Sequence, residues 1–295
     1  MPATYEVRYR MYNYAGKPEQ STEKSKKLLK WNVANVKAVA KEPFAPRWHE
    51  LVTMVTLAPT EFSIEGYKGN MKNWNEFGKF LYELGKGRDV LPEDIKQKVH
   101  SLIAGVKDDK EKVKILYRFM QQNTRYISIQ LGLGGWQPFE ASFVAQKAYG
   151  DCKALSNYMY SLLKEAGIRS QYALIKGGEY NYFMASDFPS NQFNHAILCV
   201  PFAKDSLWLE CTSQTQPAGY MGNFTGNRKA LLIDENGGTL VNTPFYASEE
   251  NQQLRTIKGS IDAGGTLHMK VNTTYKGFQQ DNLHSMINQL SKDRV

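Results

Sequence analysis

Three residues, Cys152, His195 and Glu210, have the types that thiol acyl transfer requires. Cys152 sits in the run Gly150-Asp151-Cys152-Lys153-Ala154, at the start of a segment whose apolar positions recur at helical spacing and which Gly167 stops. A cysteine at the amino end of a helix faces unsatisfied backbone N–H groups and the positive end of the helix dipole, an environment that favours an anion. The same N–H groups, that of Cys152 included, can stabilise the oxyanion formed when a thiolate adds to a carbonyl. Taken alone, a lone cysteine is more often a small buried hydrophobe.

The sequel changes the balance. A thiol nucleophile needs a base to take its proton and return it to the leaving amine, and the base needs a third group to fix its tautomer and orientation. His195 opens the strand-like run Asn194-His195-Ala196-Ile197-Leu198, and Glu210 lies in the next, Leu207-Trp208-Leu209-Glu210-Cys211-Thr212. If these strands pair across the short connection Ala203 to Ser206, the two residues lie about one register apart, within hydrogen-bond reach. Singly, a histidine at a strand edge is often a hydrogen-bonded surface group and an edge-strand glutamate is often solvated. Order and spacing together carry the reading.

The helix-borne GDC, the NHAIL strand and the LWLECTS strand resemble the three motifs of the transglutaminase-like superfamily, over roughly residues 75 to 240. The resemblance implies an α+β fold: a papain/transglutaminase-like core of helices packed on an antiparallel sheet, flanked by β-sandwich-like segments. It also implies Cys152 as nucleophile, His195 as base and Glu210 as the group that orients the histidine. That third residue is most often aspartate, and glutamate, one methylene longer, leaves room for a looser triad. Related thiol enzymes use a Gln or Trp donor to the oxyanion, which singles out Gln130, Trp136 and Gln137. The implied activity is thiol-dependent acyl transfer on peptide amide bonds, read as hydrolysis of a peptide or protein substrate by a cysteine peptidase or amidase. Protein cross-linking and a catalytically silent module that binds peptide or glycan stay open, because a fold does not choose among reactions. The flanking β segments resemble those of exported bacterial proteins, which implies a periplasmic or extracellular setting.

No cofactor is needed for this chemistry, and nothing resembles a calcium-loop motif. A zinc site built from Cys152, His195, Cys199 and Cys211 is the first rival, since these are suitable ligand types. A four-residue offset along one strand separates His195 from Cys199 by roughly 13 Å, too far to share an ion. The loop from Gly177 to about Gln192 is long for a strand connection and ends just before His195. It reads as a lid or substrate wall, or else as a disordered insertion; its Tyr180, Tyr182, Phe183 and Phe188 suit apolar substrate contacts.

The elements that must position these residues are legible in outline. Strand-like runs, Tyr5 to Tyr12, Leu28 to Val36, Glu50 to Leu57 and Glu61 to Tyr67, precede helical periodicity from Trp74, from Pro92 to about Ala104, and from Asp109 to about Asn123. A strand Tyr126 to Leu131 and a glycine-rich turn lead to the Cys152 helix. Ser170 to Lys176, Asn194 to Phe202 and Leu207 to Thr212 then read as an antiparallel meander. Strands near Ala230 to Ile233 and Thr239 to Asn242 follow, and a hairpin joins Ile257 to Ile261 with Thr266 to Tyr275. The expected division is 1–70 as a β-rich flanking segment of a larger β domain, 71–245 as the catalytic core, and 246–295 as the start of a second β domain.

The 295 residues, 42% hydrophobic and 22% charged, suit a folded chain with more than one unit. The net charge of +8 does not cluster: the basic run Lys107 to Lys114 is interrupted by Asp108, Asp109 and Glu111, so no nucleic-acid partner is expected. No run is apolar and long enough for a membrane span. The start in a strand pattern, without a signal peptide, reads as a fragment or processed form. Three cysteines leave at least one thiol free. Nothing in the sequence speaks to oligomeric state.

Overall fold

The computed structural model describes residues 1–40, 42, 43, 45–178 and 183–289. Five helices of the central region are α1 (Trp74–Gly85), α2 (Glu93–Ile103), α3 (Asp109–Asn123), α4 (Ala141–Lys147) and α5 (Cys152–Glu165). The strands β1 (Gln171–Ile175), β2 (His195–Pro201), β3 (Ser206–Leu209), β4 (Lys229–Asp234) and β5 (Gly237–Asn242) form one sheet in the order β3-β2-β1-β4-β5, every neighbour antiparallel. The mixed fold of helices on an antiparallel sheet is the one expected. The meander β1-β2-β3 is as read, but β4 returns to pair with the far side of β1 rather than extending the series past β3.

Local signals explain the helix ends. The Asn73 side chain accepts from Glu76 N at 2.8 Å, and Asp108 from Lys110 N at 3.0 Å, so each caps the helix that follows. Pro92 immediately precedes α2, as its missing N–H allows. The helix α4 was not anticipated; it spans two turns and ends at Ala148 in the left-handed region, φ 58°. The expected strand from Tyr126 to Leu131 shrinks to Arg125–Tyr126, paired in parallel with Tyr149–Gly150.

Alternation along the strands sorts the core into two faces. Leu198, Val200 and Leu209 pack with α2, α3 and α5, while Leu231 and Ile233, with Tyr172 and Leu174, pack under α1. The opposite face carries Ala173, Ile175, Ile197, Cys199, Trp208 and Ala230, covered by Met221 and Tyr246. The approach of α1 to the sheet depends on glycine. A Cβ added at Gly78 would lie 2.0 Å from Gly238 N and 2.2 Å from its Cα, both backbone atoms that cannot give way. Gly78→Ala should therefore lower stability by about 3 kcal/mol, at the upper end of overpacking costs. An unchanged urea midpoint for that variant would mean α1 does not rest on β5 this closely.

Ahead of this region, Val7–Tyr12 pairs with Met54–Pro59, Glu19–Glu23 with Lys26–Lys30, and Glu61–Ile64 with Tyr67–Asn70. The strand expected from Leu28 to Val36 is instead the second arm of a hairpin. It turns at Lys24 and Ser25, with φ of 46° and 63°, and ends at Lys30. Glu50 and Leu51 close a helical turn, Trp48–Leu51, and the next strand begins at Met54. The hairpin of Gln253–Ile261 and Leu267–Tyr275 forms as read, with a helix, Asp281–Gln289, after it. Among the described residues no flanking sheet exceeds two strands, so the layering of a sandwich is not seen in them.

Candidate active site

The helix α5 is buried nearly all round, with eleven side chains from Cys152 to Leu163 out of solvent, as befits a central helix rather than a surface one. Asp151 caps it, its Oδ1 accepting from Ala154 N at 3.0 Å, which places Cys152 at the first helical position. The other Asp151 oxygen pairs with buried Lys153. One turn beyond Cys152, on the same helix face, Ser156 Oγ donates to Ala196 O at 3.2 Å. That bond ties the Cys152 helix to the residue next to His195 and so sets their mutual position.

His195 is the first residue of β2. The register pairs Leu198 with Leu209, and β3 ends there; extended by one pair it puts Ile197 opposite Glu210. His195 and Glu210 are thus offset by two positions, not one, which keeps both side chains on the same face. The longer glutamate spans this diagonal without slack: His195 Nε2 lies 2.9 Å from Oε1 and 3.0 Å from Oε2. The looser geometry expected of glutamate is absent. Thr212 Oγ1 donates to Oε1 at 2.6 Å and Thr225 Oγ1 to Oε2 at 3.4 Å, while Tyr117 OH on α3 donates to the Glu210 backbone carbonyl at 2.7 Å. Phe224 meets the imidazole edge-on at 5.2 Å between centroids.

Cys152, His195 and Glu210 are 3%, 8% and 4% exposed. Burial alone would depress the imidazole. The charge of Glu210, hydrogen bonds with Cys152 and Glu210, and the charge of Cys152 outweigh it and push His195 up to about 10. Burial would likewise raise Glu210, but the His195 charge and bonds from His195 and Thr212 hold it below the usual carboxylate range. A buried ionised carboxylate is tolerable only when paired and hydrogen-bonded in this way. With Nε2 engaged by Glu210, Nδ1 is the ring nitrogen left for the Cys152 side chain. Burial pushes the Cys199 thiol up to about 11 and that of Cys211 higher still. All three cysteines are free.

A cleft of about 260 Å³ is lined by Cys152 and His195 together with Gln130, Trp136, Lys153 and Phe193. Two of the three oxyanion candidates therefore border it. Gln137 does not: its amide donates to Leu84 O at 3.0 Å and holds the end of α1. Tyr180 and Tyr182 lie outside the described residues. Phe183 and Phe188 are not cleft residues but pack around Ala58 with the amino-terminal strands. Phe183 stacks on His49 at 3.6 Å and meets Tyr12 edge-on, and Arg8 lies 5.2 Å over the Phe188 ring. Arg8 also donates to Pro189 O at 2.5 Å, and Trp74 Nε1 to Ser186 O at 2.6 Å, so this part of the loop is fastened to a flanking strand and to the start of α1. The loop residues that do face the cleft are Asn191, Phe193 and Asn194, with Asn194 bracketing Gly177 through Oδ1 and Nδ2 at 2.7 and 3.1 Å. Lys153 and Phe193 were missed by the sequence reading; adjacency to Cys152 and His195 was the available signal. Among the described residues no group of three or more His, Cys, Asp or Glu is placed to hold a metal ion, and no helix is long and apolar enough to cross a membrane.

Residues 96–211 match the model of the transglutaminase-like superfamily, and that span contains Cys152, His195 and Glu210. This chain carries a transglutaminase-like domain. The fold agrees with the crystal structure of a candidate protease from Parabacteroides distasonis at a TM-score of 0.59 and 16% identity, over 89% of this chain and 50% of that one. The chain thus spans about half the length of that protein, and at this identity the likeness is one of fold. Similarity to a candidate cysteine protease from Cytophaga hutchinsonii is slighter, TM-score 0.33 and 10% identity over 65% of this chain and 57% of that one, and carries no argument. No curated protein matches the sequence.

Proposed function

We propose that this chain is a cysteine peptidase or amidase of transglutaminase-like type, acting on peptide amide bonds through Cys152, His195 and Glu210 within a core of about residues 71–245. The observation that carries the reading is the buried imidazole held by both Glu210 oxygens, with His195 and Cys152 lining the same cleft. In the attack step the Cys152 sulfur adds to the amide carbonyl carbon, and the carbonyl π pair moves onto oxygen. The first-turn N–H groups of Cys152 and Lys153, which the Asp151 cap leaves free, face the developing oxyanion, with Gln130 and Trp136 bordering the same space. Collapse breaks the C–N bond; the leaving nitrogen takes the imidazolium proton and departs as an amine, leaving a thioester on Cys152. His195 then removes a proton from water as the oxygen adds to the thioester, and the thiolate leaves with release of the carboxylic acid. Glu210 keeps the imidazole aligned and stabilises its cationic form throughout.

Iodoacetamide labelling across pH, mapped by mass spectrometry, tests the pair. His195 stays protonated well above neutrality, so Cys152 should be alkylated at pH 6 at least tenfold faster than Cys199 or Cys211, whose burial keeps them as thiols there. In His195→Ala that advantage should disappear. Equal labelling of all three cysteines, or an inert Cys152, would favour the peptide-binding module without catalysis.

A further inference from the structure

Just ahead of His195 the chain forms a loop that is closed on itself and gripped from outside the core. Gln192 closes it: Oε1 accepts from Ala185 N at 2.8 Å, and Nε2 donates to Ala185 O at 3.0 Å and to Phe188 O at 2.9 Å. The amino-terminal strand Val7–Tyr12 supplies the grip. Arg8 Nη2 donates to Pro189 O at 2.5 Å and to Met71 O at 2.6 Å, its guanidinium stands over the Phe188 ring, and Arg10 pairs with Asp187. At the start of α1, Trp74 donates to Ser186 O, and its ring lies 5.7 Å from that of Phe193. The loop is thus tied to the strand, to α1 and to itself.

Asn191 and Phe193 flank Gln192 in the chain, and both line the Cys152 cleft. Phe193 is half-buried, whereas Asn191 is exposed. A carboxamide carries an acceptor and two donors, the complement of a peptide main chain. Arg8 does not border the cleft itself, and its Nε is shut off from solvent with no hydrogen-bond partner among the described residues. An unsatisfied buried donor works against stability, and native proteins satisfy such groups in the great majority of cases. What the guanidinium secures in return is the position of the loop.

We infer that the amino-terminal strand builds part of the peptide site: Arg8 is a positioning residue that holds the loop 185–192 so that Asn191 and Phe193 form a preset wall for an extended peptide, with the Asn191 carboxamide hydrogen-bonded to its main chain. A wall fixed before binding does not have to be ordered by the substrate, and affinity gains by that difference. The Arg8 hydrogen bonds all leave from one nitrogen, Nη2, to the carbonyls of Pro59, Met71 and Pro189. A lysine ammonium, with three donors, can therefore keep the hold on the loop, whereas methionine, unbranched and without a donor, cannot. Peptide affinity depends on this hold. The reactivity of Cys152 toward a small reagent, which touches no wall, does not.

The inference rests on the peptide reading of the cleft, and the test measures binding and nucleophile reactivity separately. Fluorescein-labelled β-casein, an unfolded chain, is titrated by fluorescence anisotropy with Cys152→Ala protein, in which no turnover occurs. Adding Arg8→Met should weaken binding roughly fivefold to tenfold, and adding Arg8→Lys by no more than about twofold. Asn191→Ala, at an exposed position, should weaken it roughly threefold to tenfold, the equivalent of one net hydrogen bond, and decides the matter alone if Arg8→Met does not fold. In protein that keeps Cys152, Arg8→Met should leave the rate of iodoacetamide alkylation at Cys152 within about twofold of the unaltered chain. Unchanged affinity in either variant, an equal loss in Arg8→Met and Arg8→Lys, or a fall in Cys152 alkylation that parallels the fall in binding overturns the preset wall. Unchanged affinity beside selective Cys152 labelling strikes the wall and leaves the catalytic reading standing; binding that depends on Arg8 and Asn191 beside an inert Cys152 upholds the wall and strikes the catalytic reading alone.

Discussion

Replacing His195 with alanine should lower amide hydrolysis by at least about 10⁴-fold, the scale on which removal of one member of a nucleophile–base unit acts. In the proposed mechanism His195 does two things that nothing else in the cleft can do: balance the charge of the Cys152 sulfur, and hand a proton to a leaving amine that would otherwise depart as an amide anion. Lys153 also borders the cleft, but it is paired with Asp151. The same substitution leaves Glu210 buried with only threonine hydroxyls and the Thr212 N–H around it. A stability loss of about 3–5 kcal/mol is expected at neutral pH from the uncompensated charge. Hydrolysis of fluorescein-labelled casein should be compared at a temperature where circular dichroism shows the variant folded. A rate within a hundredfold of the unaltered protein would remove His195 from the chemistry.

Glu210→Gln tests the third member with almost no change in shape. Hydrolysis should fall by about 10³- to 10⁴-fold, because the amide neither stabilises an imidazolium nor enforces one tautomer. The pH dependence of stability should change sign as well. With Glu210 present, His195 is raised to about 10 against an ordinary value of 6.5, so its contribution is full below about pH 6.5 and is lost as the pH climbs toward 10. Glu210, held below its ordinary 4.5, contributes above that value and loses its contribution as the pH falls through its folded value. The pair therefore stabilises most between about pH 4.5 and 6.5. In Glu210→Gln the depressing effect of burial on His195 is no longer opposed by a carboxylate, so the imidazole is held neutral and folding is favoured as the pH rises. The difference in urea midpoint between the two proteins should be larger at pH 5.5 than at pH 9. A difference independent of pH would mean that Glu210 is not ionically coupled to His195.

How much of this was legible in the residues follows from how local each contact is. The Cys152 helix could be placed because its cap, its apolar period and its terminating Gly167, at φ 72°, lie within one stretch of chain. His195 and Glu210 could be set together because a short turn joins their strands, and the pairing of neighbours across a turn is largely a matter of hydrogen-bond register. The one-position error in that register was small in distance, yet it decides which face each side chain occupies.

What lay beyond reach was every contact between segments far apart in the chain. Phe183 and Phe188 have the composition of a substrate wall, but strands more than a hundred residues upstream claim them. Gln130, Trp136 and Gln137 are near neighbours of similar promise, and only the packing of their loop against α1 turns Gln137 to Leu84 and leaves the other two at the cleft. The insertion of β4 beside β1 has no counterpart in local periodicity. The sequence by itself determined which residues the cleft and its nearest neighbours bring together, Cys152, His195 and Glu210, since residue type, helix start and strand order are short-range properties. The tertiary structure decided the geometry of the diagonal pair, the lining of the cleft and the hold of Arg8 on the loop at Pro189, because each depends on which distant surfaces exclude water from one another.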